Sequence, residues 1–433
     1  MIWDRAAECM PVTERRALQS ARLRETLGWA VERVPFYRER LAGEGVQCTE
    51  DIGRLPFTRK SDLRDHYPFG LLAVPREDLV RIHASSGTKG KPTVVAYTAG
   101  DLAIWRGAMA RLMVAAGARP GHMLHVAFGY GLFTGGLGFH DGAEQIGMAV
   151  VPVSSGNTVR QHLLLEDFRP DGLCGTPSFA LHIAETMRTA GGHPDRLGLR
   201  YGIFGAEPWT EAMRTALERA WGCPAYDVYG LSEIIGPGVA GECEARDGLH
   251  VVDDHFLPEI IDPSTGAPRQ DGEEGELVLT SLTKRALPMI RYRTGDVTAL
   301  TTEPCRCGRT SARIARLKGR ADDMLVVKGV NVYPSEVEAA LLSVDGLEPH
   351  YQLVIDRGTT LARVEVHVEP TAPTLARCGG AVTDGHPEIE ALRLQVANRV
   401  RTAIGLTVDV RLVEPRSIPR SEGKAVRVVE RTS

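Results

Sequence analysis

The chain has 433 residues, 43% of them apolar, with a formal net charge of −4 and eight cysteines. That length exceeds what one compact core usually serves, so a large domain with a smaller companion is the expectation. No run reaches the roughly 18 to 20 apolar residues of a membrane span, no charged n-region precedes an apolar stretch at the N-terminus, and no basic field is present; no membrane or nucleic-acid partner is expected, and a cytoplasmic location is.

The first predicted element is a leader helix over residues 11–42, where Leu18, Leu23, Leu27, Ala30, Val31 and Val34 recur at helical spacing before ProPheTyr. From 99 to 280 short β-rich runs at 122–128, 148–153, 201–204 and 227–229 alternate with helical stretches at 157–166, 178–190 and 210–220. Such alternation predicts a mainly parallel sheet covered by helices on both faces. Residues 257–300 turn to hairpin-like β structure with charged turns such as GlnAspGlyGluGluGly. After LysGlyArgAlaAspAsp at 318–323 the pattern restarts, with strand candidates at 324–328, 351–355, 362–368 and 408–413. An amphipathic helix is predicted over 387–404, with Ile389, Leu392, Val396, Val400 and Ile404 on one stripe and Gly405 just past its end. The stretch 371–386, rich in Pro, Gly, Thr and Ala, reads as a surface loop. The expected class is α/β: a large N-terminal domain of layered sheets and helices, then a small C-terminal α+β domain.

Residues 85–93 read SerSerGlyThrLysGlyLysProThr. Ser85, Ser86 and Thr88 offer hydroxyl donors, Gly87 and Gly90 allow close backbone approach, and Lys91 brings positive charge, all of which suit a turn around a polyphosphate. A Walker loop needs glycine five residues before its Gly-Lys pair and Ser or Thr after it; Ser85 and Pro92 stand there instead, which disfavours a P-loop ATPase. A plain solvated turn has the same composition, so the loop alone does not decide.

Four later segments share the chemistry. GlyAlaGluPro (205–208) and TyrGlyLeuSerGlu (229–233) each follow a predicted strand, at the carboxyl end where open α/β sheets bind ligands. TyrArgThrGlyAsp (292–296) and the 319–334 segment, beginning GlyArgAlaAspAsp, close the large domain and open the small one. SerIleProArgSerGluGlyLysAla (417–425) presents Lys424 near the C-terminus. Taken singly, Glu233, Asp296, Arg320 and Lys424 read as solvated charges, and Tyr130 and Phe133 as core aromatics. Their order along the chain carries the meaning.

In that order the chain resembles the adenylate-forming acyl-CoA synthetase superfamily, and within it the phenylacetate-CoA ligases, over nearly its whole length. The family-level signals are GlyTyrGlyLeuPheThrGlyGlyLeuGly (129–138), IlePheGlyAlaGluProTrpThr (203–210) and GluIleIleGlyProGlyValAla (233–240). The resemblance implies a ligase that activates an aromatic acid with ATP and Mg²⁺ and passes it to coenzyme A, with phenylacetate as the first guess. It implies nucleotide contacts from Ser85, Ser86, Gly87, Thr88, Gly90, Lys91, Gly205, Ala206, Glu207, Pro208, Tyr229, Gly230, Ser232, Asp296 and Arg320. Glu233 would ligate Mg²⁺, Tyr229 lie along the adenine, Asp296 and Arg320 hold the ribose, and Lys424 bridge carboxylate and phosphate. Tyr130, Phe133, Ala206, Ile234 and Pro237 would face the acid. The domains become 1–321, binding ATP and acid, and 322–433, a mobile lid hinged at Asp322 that brings Gly329 to the CoA site. Relatives also suggest a homodimer. Lys89 departs from the family, which commonly has Thr there.

Cys305 and Cys307, in ProCysArgCysGlyArg, could share a metal with the pair Cys243 and His250. Cys₃His is a closed zinc set, although a pair of reduced cysteines in a hairpin fits the spacing as well; relatives with a similar set favour structural Zn²⁺. His255 is the other candidate for the fourth ligand. Two other functional readings remain open from sequence: an adenylating enzyme that delivers the acyl group to a carrier protein or an amine, and an inactive nucleotide-binding regulator. Retention of Lys424, Glu233 and Asp296 weighs against the second.

Overall fold

A computed structural model describes the chain except residues 42, 86–91, 321–324, 328–329, 357–362, 384, 421–424 and 432–433. The N-terminal helical region forms as α1 (Arg5–Glu8), α2 (Val12–Arg33) and α3 (Pro35–Leu41), so the predicted leader helix is broken. Pro35 is the cause: it has no N–H to continue the ladder and pushes Val34 into an extended conformation. After α4 (Lys60–Asp65), strands β1 (Arg81–Ser85) and β2 (Thr93–Tyr97) pair antiparallel with Ser85 opposite Thr93, which fixes the two ends of the phosphate-loop segment.

Helix α5 (Ala99–Ala115) starts at a capping box in which Thr98 and Asp101 exchange side-chain and backbone bonds. The predicted alternation follows as β3 (Met123–Val126), α6 (Gly135–Ile146), β4 (Ala149–Val151), α7 (Thr158–Phe168), β5 (Gly172–Gly175), α8 (Pro177–Thr189), β6 (Tyr201–Gly205), α9 (Glu211–Trp221) and β7 (Ala225–Leu231). Strands β4, β3, β5, β6 and β7 lie side by side and parallel. The chain then doubles back through β8 (Gly236–Glu242), β9 (Leu249–Val251), β10 (Phe256–Ile261), β11 (Glu274–Ser281), β12 (Tyr292–Thr301) and β13 (Arg313–Ile314), all antiparallel. The spatial order of this sheet is β10-β11-β12-β13-β9-β8-β7-β6-β5-β3-β4. The parallel half carries the helices and the antiparallel half the hairpins, and the change comes at β8, earlier than the 257 that the sequence pattern predicted.

The remaining chain supplies short strands β14 (Gly319–Arg320), β15 (Leu325–Val327) and β16 (Val330–Val332), helix α10 (Pro334–Leu342), strands β17 (Leu347–Asp356) and β18 (Arg363–Pro370), helices α11 (Ala372–Arg377) and α12 (Pro387–Ile404), then β19 (Asp409–Leu412) and β20 (Val428–Arg431). Strands β19-β18-β17-β20 form one sheet. Helix α12 buries Ile389, Leu392, Val396, Val400 and Ile404 and ends at Gly405, whose φ of +70° is the left-handed C′ conformation. The predicted 371–386 loop instead opens with α11. Pro373 in its first turn is pre-set for a helix start, and Leu375 is buried.

Two compact units result. One holds Met1–Gly175, Arg196–Ala206 and Cys223–Arg316; the other holds Leu317–Ser433 together with Thr176–Asp195 and Glu207–Gly222, the segments of α8 and α9. The fold is thus mixed α/β, with a larger N-terminal and a smaller C-terminal region.

Candidate active site

In the first unit the carboxyl ends of β6 and β7 stand side by side, Gly205 in register with Val228. A Cβ at Gly205 would fall 2.2 Å from the Val228 carbonyl oxygen, so only glycine fits between the strands there. Ala206 follows with φ of +68°, a left-handed backbone that costs a non-glycine residue roughly 1–2 kcal/mol. Strain of this kind is retained where a turn must aim its neighbours, and here it opens the GlyAlaGluPro segment.

Tyr229, near the end of β7, donates its hydroxyl to Asp296 Oδ2 at 2.6 Å. The bond joins two predicted nucleotide residues 67 positions apart, both buried. Asp296 sits on β12, where its own N–H donates to Thr294 Oγ1 at 3.0 Å. The segment that follows Tyr229 is pinned from behind. Tyr97 donates to the Ile235 carbonyl at 3.0 Å, Trp105 Nε1 to the Pro237 carbonyl at 2.6 Å, and Ser232 shares a 3.1 Å hydroxyl contact with Thr134. Tyr97 and Trp105 are themselves stacked, with ring centroids 5.2 Å apart. A Cβ at Gly138 would lie 2.6 Å from Pro237 Cγ and 2.8 Å from Trp105 Cζ2, which is why α6 needs glycine where it passes this cluster.

Glu233 is buried, and Lys60 Nζ stands 3.7 Å from its carboxylate. From the other side the buried Lys284 donates to the Glu233 backbone carbonyl at 3.2 Å, with its ammonium 4.8 Å from the centre of the Tyr97 ring. Burial depresses the Lys284 pKa to about 8, against the favourable charges of Asp101 and Glu233. Lys60 and Lys284 were not singled out from sequence. Neither lies in a glycine-rich or ordered motif, and a lysine reveals no burial by its type, so no sequence signal was available.

The 129–138 segment is tied to the base of the phosphate loop. Ala84 N–H donates to the Leu132 carbonyl at 2.9 Å, and His83 Nδ1 lies 3.0 Å from the same oxygen. Burial lowers the His83 pKa, so the ring is neutral and Nδ1 carries the proton it donates. Next in chain, Ser85 Oγ is buried without a hydrogen-bond partner among the described residues. Tyr130 is half-buried, its hydroxyl 3.2 Å from His140 Nδ1, and desolvation raises its pKa. Phe133 is half-buried, Ile234 fully buried and Pro237 partly exposed.

In the second unit, Glu207 accepts from the Ser178 N–H with Oε1 at 2.8 Å and from the Ala425 N–H with Oε2 at 2.9 Å. Arg320 is half-buried on β14. Ser86, Gly87, Thr88, Lys89, Gly90, Lys91, Asp322, Gly329 and Lys424 lie outside the described residues.

A separate cluster forms in the first unit, where Cys243, His250, Cys305 and Cys307 place their ligand atoms within 4.8 Å of one another. The Cys243 and Cys305 sulfurs are 3.8 Å apart, and Cys307 Sγ is 3.4 Å from His250 Nε2. Zn–S bonds of about 2.3 Å and Zn–N bonds of about 2.0–2.1 Å give tetrahedral edges of about 3.8 Å and about 3.5 Å, so the donors fit the ion. His250 Nδ1 meets Ser311 Oγ at 3.0 Å, which fixes the ring with Nε2 toward the sulfurs. The bond between Cys243 and Cys307 raises the pKa of the first thiol and lowers that of the second. His255 is excluded from the cluster: its ring bonds Thr283 Oγ1 at 2.8 Å and lies 3.3 Å from Asp254. All eight cysteines are free thiols.

Comparison with known proteins agrees with this geometry. The family model of the AMP-binding enzyme matches residues 24–283, and that of the AMP-binding enzyme C-terminal domain matches 329–432. The chain is 51% identical over 440 residues to a phenylacetate-coenzyme A ligase of Thermus thermophilus, covering 99% of both chains. It is 48% identical over 430 residues to the phenylacetate-coenzyme A ligase of Escherichia coli, covering 98% of this chain and 96% of the relative. Among solved structures, a 2-hydroxyisobutyryl-CoA ligase in its postadenylation state superposes with a TM-score of 0.93 at 31% identity, over 99% of this chain and 92% of that one. Ordered motifs, fold and full-length identity converge: the chain belongs to the phenylacetate-CoA ligase family of the adenylate-forming superfamily and is an ATP-dependent, AMP-forming CoA ligase.

Proposed function

We propose that the acid this ligase activates is phenylacetate or a close aromatic relative. The observation that carries the reading is identity of 51% and 48% to two phenylacetate-CoA ligases across essentially the whole chain. The 129–138, 203–210 and 233–240 segments support it by supplying apolar and aromatic groups, Tyr130, Phe133, Ala206, Ile234 and Pro237, for an apolar ring.

In the first half-reaction one carboxylate oxygen bonds to the α-phosphorus of ATP and pyrophosphate leaves with the electrons of the broken P–O bond. Two anions must meet, so fixed cations and exclusion of water lower the barrier. Lys424 would bridge the carboxylate and the α-phosphate, while Ser85, Ser86, Gly87, Thr88, Gly90 and Lys91 wrap the other phosphates. The Tyr229–Asp296 bond orients the carboxylate that, with Arg320, would hold the ribose, and Tyr229 would lie along the adenine beside Gly205, Ala206, Glu207, Pro208, Gly230 and Ser232. Mg²⁺, when bound, offsets the charge of the phosphates. The buried Glu233 carboxylate, its backbone fixed by Lys284, is an oxygen ligand of the kind a hard divalent ion takes.

In the second half-reaction the CoA sulfur bonds to the acyl carbon, the bond to AMP breaks, and the thiol proton is released. Rotation of 322–433 about Asp322 would withdraw Lys424 and bring Gly329 to the thiol path. The same reading gives Cys243, His250, Cys305 and Cys307 a structural Zn²⁺, and the enzyme a cytoplasmic location and a homodimeric assembly. No helix among the described residues is long and apolar enough to cross a membrane.

The test is pyrophosphate release across aromatic, short-chain and long-chain acids, with and without CoA. Aromatic acids should dominate; preference for acetate or palmitate would overturn the reading. An adenylate that CoA never converts would move the acceptor to a carrier protein or an amine.

A further inference from the structure

Lys284 stands between β11 and β12 with 1% of its surface exposed, a charged residue among the largest fully buried side chains. Its ammonium makes one hydrogen bond among the described residues, to the Glu233 carbonyl oxygen at 3.2 Å, and rests 4.8 Å from the centre of the Tyr97 ring. Asp101 and Glu233 are the carboxylates whose charge it feels. Burying an ammonium against one neutral acceptor and an aromatic face is costly, and a packed apolar side chain in such a place is often neutral or stabilising. Stability alone gives no reason for lysine here.

Both ends of the Lys284–Glu233 bond are held. The buried Asp101, in the first turn of α5, accepts from Arg285 N–H at 2.6 Å and from Ala286 N–H at 3.0 Å, and so fixes the backbone that follows Lys284. The backbone before it is tied where Leu282 N–H donates to the His255 carbonyl at 2.8 Å. At the other end Glu233 lies in a tight turn, with Ile234 N–H and Ile235 N–H both 3.2 Å from the Leu231 carbonyl, and Tyr97 closes that turn through the Ile235 carbonyl at 3.0 Å. The Glu233 carbonyl is thereby committed to Lys284, while its carboxylate meets Lys60, whose side chain is 43% exposed. All these groups belong to the first unit.

We propose that Lys284 is a positioning residue for the divalent ion: through the backbone of Glu233 it fixes the direction of the Glu233 carboxylate, so that an ion arriving with ATP meets a ligand already in place. The inference rests on the reading of Glu233 as the Mg²⁺ ligand. The bond of Lys284 is to the backbone of Glu233, so its effect passes through that residue.

The test is calorimetric titration of the full-length enzyme with ATP, once in Mg²⁺ and once in EDTA, for the wild type, Lys284→Met, Glu233→Gln and the double variant. The Mg²⁺ dependence of phenylacetate-driven ATP–pyrophosphate exchange and the Tm are measured beside it. Groups that hold a metal ligand from behind typically contribute about tenfold to a hundredfold in metal affinity, so Lys284→Met should weaken ATP binding about tenfold in Mg²⁺. Binding in EDTA should be unchanged, and the Mg²⁺ concentration for half-maximal exchange should rise by a similar factor. The Tm should stay or rise, since methionine fills much the same space without a charge. Adding Lys284→Met to Glu233→Gln should cause no further loss. Equal weakening with and without Mg²⁺, unchanged binding in both, losses that add to those of Glu233→Gln, or a variant that melts well below the wild type would overturn the role of Lys284 and leave that of Glu233 standing. A Glu233→Gln enzyme that keeps the full effect of Mg²⁺ would instead overturn the assignment of Glu233, and the proposal with it.

Discussion

Segments 229–237 and 416–420 both carry charged residues, Glu233 in the first and Arg420 in the second, yet they are held in opposite ways. The first is fixed by buried groups: stacked Tyr97 and Trp105, the Lys284 ammonium, and Ile234 and Ile235 with essentially no exposed surface. Moving it would expose aromatic area worth several kcal/mol. The second is held by charged partners: Arg420 bonds the buried Glu369 and meets Glu185, and Ala425 N–H donates to Glu207. The difference teaches how the division of labour is built. On the proposed mechanism, groups needed in both half-reactions stand on the packed sheet, and Lys424, needed in one, follows a segment tied by ion pairs.

The largest expected effect breaks the comparison at the movable end. Lys424→Ala should cut adenylation by on the order of a hundredfold or more, the scale of removing a preorganised charge donor from a transition state. Thioester formation from supplied adenylate should survive nearly intact; equal loss of both steps would mean that the lysine is a structural group. Asp322→Pro should give the mirror result. Fixing φ at the hinge slows the thiol step by about tenfold and spares pyrophosphate exchange, so a defect confined to exchange would show that Asp322 is no hinge.

At the fixed end, Cys305→Ser should remove the bound zinc and lower the Tm, while the rate per folded molecule stays the same. A closed tetrahedral site contributes folding energy and offers no position to substrate. Elemental analysis that finds no metal in the wild type would remove the site, and a lower rate at unchanged Tm would make it catalytic. Tyr229→Phe is the smallest change. Loss of one charge-assisted bond to Asp296, worth about 1.5–3 kcal/mol at most and less where water enters, should raise the KM for ATP by about fivefold to tenfold with little change in Tm. An unchanged KM would show that the pair does not orient the ribose site.

Much of this arrangement was legible in the sequence because it depends on periodicity and local chemistry. The stripe of α12 and its stop at Gly405, the alternating strands β3 to β7, and the return hairpins all obey short-range rules. The leader helix ends where ProPheTyr interrupts its spacing, short of residue 42, and α11 was missed because Pro373 reads as a breaker unless it falls in a first turn. Cys243, His250, Cys305 and Cys307 were found by residue type, but only strand pairing, with His250 opposite Arg313, brings the two halves together. Lys60, Lys284 and Glu185 left no trace. Their significance lies in partners 173, 51 and 235 positions away, and no spacing in the chain encodes such contacts.

The most direct measurement is a single-turnover experiment on the wild-type enzyme with phenylacetate, ATP and Mg²⁺, CoA being withheld and then added. The account predicts that phenylacetyl adenylate and pyrophosphate accumulate to about one per active site without CoA, and that added CoA converts the adenylate to thioester with release of AMP. Absence of adenylate until CoA is present, or an adenylate that CoA leaves untouched, would contradict it.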